Sequence, residues 1–269
     1  MTSIHVLGSG SRGNCIAIEC DGAILLVDAG FSAREIERRA AATGVSLDRV
    51  VGIVVTHEHT DHISGAARLS RRLATPVITA TGTWGAMRER FSPTTVHRPI
   101  ALGAQVELSP FVIRAAPTSH DAAEPLALAV LCADGERVGL AYDMGRTTSG
   151  VRFLLRDMSA LVVEANHDEL RLRTCGYPPS VQQRIAGSTG HLSNRAAAAL
   201  LAELCHPGLG LIVLAHLSEQ SNEPAEALRA VEPTLERAGF NGVLHVAKQD
   251  EPLAALSVVG RDAQLGLGL

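Results

Sequence analysis

The 269 residues, 46% hydrophobic and 19% charged, have the composition of a well-cored protein and exclude a disordered or fibrous chain. A formal net charge of −4 gives no general attraction for a polyanion, although bound divalent cations, which that count omits, would reverse the balance locally. No apolar stretch is long enough to span a bilayer, residues 1–5 lack the pattern of a signal peptide, and no linker interrupts the chain. The expectation is a single cytoplasmic domain over residues 1–269.

Residues 4–7 and 15–18 read as strands joined by Gly8-Ser9-Gly10-Ser11-Arg12-Gly13-Asn14. This turn lacks the Gly-Lys-Ser/Thr ending of a phosphate-binding loop, which excludes a nucleoside triphosphate site. Its glycines admit close backbone approach and its amides can meet an anion; a plain hairpin accounts for them equally well. Residues 23–27 form a strand that closes on Asp28 and Gly30. Ser32-Ala33-Arg34-Glu35 has capping-box spacing and predicts a helix from about Ala33 to Ala42, ended by Gly44.

Residues 50–55, rich in valine and isoleucine, read as a buried strand, and Thr56-His57-Glu58-His59-Thr60-Asp61-His62 follows at once. Strand ends are where layered folds place chemistry, and neutral imidazole beside an ionised carboxylate suits a borderline divalent metal. In a turning segment His57 and His59 can point one way while Asp61 and His62 face a neighbouring point, so one segment can serve two ions. A solvated His-rich loop is the plainer alternative, disfavoured by four ligand-type side chains at this spacing. Residues 64–73 are helical in pattern, with Arg68, Arg71 and Arg72 on a solvated face, and residues 76–80 form a strand. Residues 83–87 begin a short helix carrying Trp84.

The middle is β-rich, with apolar runs at 106–108, 111–115, 126–131 and 138–142 bounded by turn residues, as in stacked sheets. Two loops carry ligand-type residues, His120 and Asp143, each weak by itself. Residues 160–168 read as a strand ending in a polar cluster that includes Glu164, and Ser188-Thr189-Gly190-His191-Leu192-Ser193-Asn194 precedes an Ala-rich helix over 195–205 with Ser193 or Asn194 as N-cap. A helix N-terminus lowers the pKa of an imidazole, which a nearby Glu164 would offset for His191. Residues 211–215 form a strand ending on His216. Glu223-Pro224 opens a helix interrupted or kinked at Pro233, and strands follow at 242–246 and 254–258. The cysteines, Cys15, Cys20, Cys132, Cys175 and Cys205, include no Cys-x-x-Cys pair and read as small buried hydrophobes.

His57-x-His59-x-Asp61-His62 resembles the signature of the metallo-β-lactamase superfamily. That likeness implies an α/β fold, an αββα four-layer sandwich of two mixed sheets flanked by helices. It also implies a ligand set: His57, His59 and His120 on one ion, Asp61, His62 and His216 on a second, and Asp143 between them. Asp28 matches the aspartate that supports the metal-binding loop without ligating. Two divalent ions, zinc or manganese, and a binuclear metal-dependent hydrolase follow.

The Gly8–Cys15 stretch, Glu164-Ala165-Asn166-His167-Asp168, Gly190-His191-Leu192-Ser193 and Ser218–Pro224 resemble the YycJ/WalJ subgroup from residue 4 to about residue 225. What this implies is a metal-dependent phosphodiesterase, a 5′ to 3′ double-stranded DNA exonuclease, with nucleic acid as partner and no nucleotide cofactor. Asp61 then orients the nucleophile, and His191, braced by Glu164, protonates the leaving oxygen or holds a phosphate. The Glu164 and His191 stretches also look like tRNA 3′-processing nucleases, so an RNA-processing nuclease is one alternative; a hydrolase of small esters, lactones or thioesters is another. Lys248 is the only lysine, and the arginines that replace it suit phosphate, as would a coding bias toward arginine. With 3% aromatic residues there is little platform for stacking single-stranded bases, which duplex recognition through backbone phosphates does not need.

Overall fold

A computed structural model describes residues 1–260. The β-branched and aliphatic runs read above become β1 (Ser3–Gly8), β2 (Cys15–Cys20), β3 (Ala23–Val27), β4 (Val50–Val54) and β5 (Val77–Thr79), and β6 (His97–Pro99), which has no apolar run to announce it, pairs parallel with β5. The chain then crosses to β7 (Gln105–Leu108), β8 (Phe111–Pro117), β9 (Leu126–Cys132), β10 (Arg137–Ala141), β11 (Ala160–Glu164), β12 (Leu211–Ala215) and β13 (Val243–Val246). Finally β14 (Leu253–Ser257) returns to pair antiparallel with β1. Two mixed sheets result, in the orders β14-β1-β2-β3-β4-β5-β6 and β13-β12-β11-β10-β9-β8-β7.

Side chains alternate between two buried faces, as strands covered on both sides require. Ile16 and Ile18 of β2, Phe111 and Ile113 of β8, and Leu211 and Val213 of β12 meet in the core between the sheets. Opposite faces carry Ala17 on β2 and Ile212 and Leu214 on β12, which pack under helices. The helices are α1 (Ala33–Thr43), α2 (Thr60–Ile63), α3 (Ala66–Leu73), α4 (Thr81–Met87), α5 (Ser149–Leu154), α6 (Glu169–Thr174), α7 (Pro179–Ala186), α8 (Asn194–Leu204) and α9 (Pro224–Arg237). Ile36 and Ala40 of α1 and Leu69 of α3 cover the first sheet; Leu200, Leu201 and Leu204 of α8 and Val231 and Leu235 of α9 cover the second. Each fully buried aliphatic of this kind contributes roughly 1.5–3 kcal/mol. This is the expected αββα arrangement. No helix among the described residues is long and apolar enough to cross a membrane.

Local differences from the sequence reading have physical causes. The helix expected over 64–73 forms as α3, beginning after Gly65, whose Cβ, if present, would lie 2.5 Å from the Phe31 carbonyl, and the separate short α2, which was not expected, takes up Asp61 and His62. The capping box is half formed, with Ser32 accepting from the Glu35 amide while the Glu35 carboxylate turns to Arg38 and Arg39. Ser193, not Asn194, caps α8. The helix from Pro224 is not interrupted at Pro233 but runs to Arg237, held by Ala227, Val231 and Leu235 on its buried face while Pro233 lies exposed.

Candidate metal centre

Parallel strands deliver their C-terminal ends to one edge of the sandwich. On the first sheet β3 ends at Asp28 and β4 leads into His57–His62; on the second, β8 leads to His120, β10 to Asp143, β11 to Glu164 and β12 to His216. Three of these residues leave their strands through the left-handed region: Asp28 at φ 58°, Asp143 at φ 56° and His216 at φ 54°. Such a conformation costs a non-glycine residue energy and turns its side chain out of the ladder, toward the centre.

The imidazoles are aimed by what holds their outer nitrogens. His57 Nδ1 lies 3.1 Å from Thr56 Oγ1, His62 Nδ1 2.8 Å from Asp28 Oδ2, His120 Nδ1 3.1 Å from the Gly190 carbonyl, and His216 Nδ1 3.3 Å from Glu164 Oε1. In each case the Nε2 atom is left for the interior. His62 Nε2 is 3.1 Å from Asp143 Oδ2 and 3.3 Å from Asp61 Oδ2, and His216 Nε2 is 3.4 Å from the same Asp61 oxygen. His59 differs, presenting Nδ1 to His120 Nε2 at 3.3 Å. Ligand-type atoms of His57, His59 and His120 lie within 4.8 Å of one another, as do those of Asp61, His62 and His216 and those of His57, His62 and Asp143.

Burial and charge set the protonation of these groups. Burial, helped by neighbouring imidazoles, holds His57 well below the usual histidine value, which keeps it a neutral donor. Burial opposes charge on His216 too, but Asp143, Asp61 and Glu164 outweigh it and hold the ring up at about 10. His62 is raised for the same reason by Asp28, Asp143 and Asp61. Glu164 is pulled to about 2 against its burial by His191 and His216. His57 Nε2 is buried with no hydrogen-bond partner among the described residues, and Asp143 Oδ2, though close to His62, is misaligned for one. Orphaned imidazole and carboxylate atoms facing one another are satisfied by a divalent cation, so the donor set fits one.

Residues 24–216 match the β-lactamase superfamily domain. The exodeoxyribonuclease YycJ of Bacillus anthracis is 35% identical over 237 residues, covering 87% of this chain and 89% of that protein. The chain belongs to the metallo-β-lactamase superfamily. Within it the YycJ/WalJ family is its place: the exodeoxyribonuclease WalJ of Streptococcus pneumoniae serotype 2 is 30% identical, covering 81% of this chain and 82% of that protein. The metallo-β-lactamase fold protein YhfI of Bacillus subtilis superposes with a TM-score of 0.71 at 16% identity, covering 94% of this chain and 99% of the other. The protein is accordingly a metal-dependent hydrolase of the superfamily.

Asp28 is in none of the groups of converging ligand-type atoms. Its oxygens accept from the Thr56 amide and hydroxyl, at 2.8 and 3.1 Å, and from Tyr142 O–H at 2.7 Å, besides facing His62. His191 Nδ1 sits 2.6 Å from Glu164 Oε1, whose other oxygen accepts from the Met144 and Leu192 amides. That carboxylate raises His191 in spite of burial, against the helix-end effect expected at α8. His59, Asp61, His120, Asp143, His191 and His216 line a cleft of about 510 Å³, to which Tyr177, Val181 and Arg184 also contribute.

Sequence reasoning left the Gly8–Asn14 loop open between anion site and hairpin, and its polar groups brace the centre. Ser9 Oγ accepts from the His216 amide at 2.9 Å and donates to Asn14 Oδ1, while the Asn14 side-chain nitrogen is 3.3 Å from His62 Nε2. The Asn14 amide donates to the Asp61 carbonyl at 2.8 Å, and a Cβ on Gly30, after β3, would stand 1.6 Å from the same carbonyl, so both segments approach the Asp61 backbone closely. Thr56 and Tyr142 were also missed; a hydroxyl beside a ligand run is their only sequence signal. Cys20, Cys132 and Asp134 form a further group within 4.8 Å, at the sheet end opposite Asp28. Burial pushes the Cys132 thiol up to about 12, so it stays protonated, in keeping with the hydrophobic role expected of the cysteines.

Proposed function

We propose that this protein is a binuclear metal-dependent phosphodiesterase that degrades duplex DNA from the 5′ end, acting in the cytoplasm as a single domain over residues 1–269. The observation that carries the substrate is the 35% identity, over most of both chains, to a protein named as an exodeoxyribonuclease. The cleft supports it by pairing a His/Asp donor set with a carboxylate-braced histidine, the two parts that hydrolysis of a phosphodiester needs.

His57, His59 and His120 would hold one divalent ion, Asp61, His62 and His216 a second, and Asp143 would be shared; zinc or manganese suits such donors. When bound, such ions polarise phosphoryl oxygens and lower the pKa of water. Asp61, at 25% side-chain exposure the most open carboxylate of the set, faces the cleft and orients the attacking water. A bond forms from water oxygen to phosphorus while the bond to the leaving ester oxygen breaks. His191, with Nδ1–H donated to Glu164, presents Nε2–H and gives that proton to the departing oxygen. Glu164, fixed by two backbone amides, keeps the ring oriented and stabilises its charge.

End-labelled duplex, closed plasmid, single-stranded RNA and a panel of lactones and thioesters, each assayed with zinc and with manganese, test the reading. Mononucleotide release from the duplex end with the plasmid intact is the expected result. Turnover confined to lactones or thioesters would replace it with a small-molecule hydrolase.

A further inference from the structure

His191 lines a second cavity, of about 500 Å³, made of residues that the chemistry above does not use. Helix α7 is the partition. Val181, Arg184 and Ile185 face the metal cleft, whereas Pro179, Gln182, Gln183 and Ala186, on the other side of the same helix, face the second cavity. After β11 the chain makes the same division, with Asn166 lining the first space and His167 the second. The two compartments thus adjoin at the ring proposed to protonate the leaving oxygen.

The second compartment has the chemistry of an anion site. Arg173 lines it and makes no ion pair or hydrogen bond among the described residues. Arg195 also lines it, its Nε 3.4 Å from Glu169 Oε1. Glu169, the acidic residue in the lining, has that oxygen already occupied by Ser193 Oγ at 3.1 Å, which leaves a net positive lining. His167 is 3% exposed, its ring makes no hydrogen bond among the described residues, and Nδ1 is buried and orphaned. Ser193, Arg195 and Ala196, at the start of the eleven-residue helix α8, also line it; the Asn194 and Ala196 amides are taken by the His167 carbonyl and Ser193 Oγ, and the helix dipole still favours negative charge there. An unsatisfied buried imidazole, a free guanidinium and a helix N-terminus converge, and a phosphate answers all three.

We propose that this cavity receives the terminal nucleotide of the strand being cut and holds it by its 5′-phosphate, with Arg173, Arg195 and His167 as donors. The inference rests on the nuclease reading above and deepens it. If His191 protonates the departing oxygen, the departing group lies against His191 and next to this space. A cavity of this volume accommodates one nucleotide but no base pair. A terminal phosphate anchored one nucleotide from the scissile bond sets both polarity and step size, and makes a phosphorylated 5′ end the preferred substrate.

The first test needs no catalysis. Deoxyadenosine 5′-monophosphate, deoxyadenosine and inorganic phosphate are titrated calorimetrically into the full-length protein in chelator, for wild type, Arg173→Ala and His167→Gln. The nucleotide should bind wild type more tightly than phosphate does, deoxyadenosine should not bind, and Arg173→Ala, on an exposed side chain that folding does not need, should weaken the nucleotide about tenfold. Equal affinity in wild type and Arg173→Ala, or no binding of the nucleotide to wild type, overturns the proposal. In the second test, metal-loaded wild type should cut a 5′-phosphorylated duplex about tenfold faster than a 5′-hydroxyl duplex, and Arg173→Ala should erase that preference. Equal rates on the two ends in wild type also overturn it. A protein that binds the nucleotide but cuts no duplex keeps the cavity assignment and loses the nuclease reading.

Discussion

Asp28 and Asp143 are both buried carboxylates at strand ends with left-handed backbones, yet they do opposite things because of what surrounds them. Thr56 and Tyr142 donate to the Asp28 oxygens, so that side chain is spent on orientation. Asp143 has His62, His120, His191 and His216 within 3.7 Å and an oxygen without a hydrogen bond, which suits the shared position proposed for it. His191, 20% exposed, has the shortest of the carboxylate contacts to an imidazole Nδ1, 2.6 Å to Glu164 against 2.8 Å for His62 to Asp28 and 3.3 Å for His216 to Glu164. His191→Ala should therefore lower kcat by about 100-fold or more with the bound metal unchanged, read by steady-state kinetics beside elemental analysis. Normal turnover, or loss of metal in step with activity, removes the proton-donor role.

The helices differ in how far local chemistry determines them. Helix α1 is fixed at both ends, by the Ser32 cap and by Gly44 in the left-handed conformation, and Glu35 joins it to the sheet through Arg39, whose guanidinium also donates to the Leu7 and Gln249 carbonyls. Arg38 and Arg39 hold the Glu35 carboxyl at about 2, below its ordinary value near 4.5. A depressed carboxylate stabilises the fold fully above its unfolded pKa and loses that contribution as pH falls toward the folded one. Urea unfolding should thus show wild type more stable than Glu35→Gln above about pH 4.5, the gap narrowing toward pH 2. A gap constant across that window contradicts the assigned pairing.

The same contrast explains how much was legible beforehand. Residues 50–62 announce a strand and its ligands because hydrophobic period, β-branching and donor spacing coincide within one short segment. The pairing of Glu164 with His191 could be named from their strand-end and helix-start positions. Helices α6 and α7 carry no such mark: each buries little, Leu172 in one and Ile185 in the other, so the place of α7 beside the cleft and of α6 beside the second cavity comes from tertiary contacts. The supporting hydrogen bonds of Ser9, Asn14 and Thr56 are equally silent in sequence, since a hydroxyl or amide reveals its partner only once the chain has folded around it.

On the scale of the molecule, the proposed donors come from both sheets: His57, His59, Asp61 and His62 follow β4, while His120, Asp143 and His216 follow strands of the second sheet. Bound ions would therefore clamp one sheet to the other as well as serve chemistry. At free ion a hundredfold above its dissociation constant, each site adds about 2.7 kcal/mol, roughly 5–10 °C in thermal midpoint for a chain of this size. Calorimetry with and without chelator should register a drop of that order, and an unchanged midpoint would mean that the sheets do not depend on the ions.

The hydrogen bond from the His216 amide to Ser9 joins positions 207 apart in the chain, and β14 closes the sheet edge that β1 opens. A ribosome has thus released most of the polypeptide before the cleft can exist. Contacts this distant are slow to find one another. A nascent chain carries its histidines for much of its synthesis as separate, harmless loops, and competence arrives late and all together, when the last strands dock.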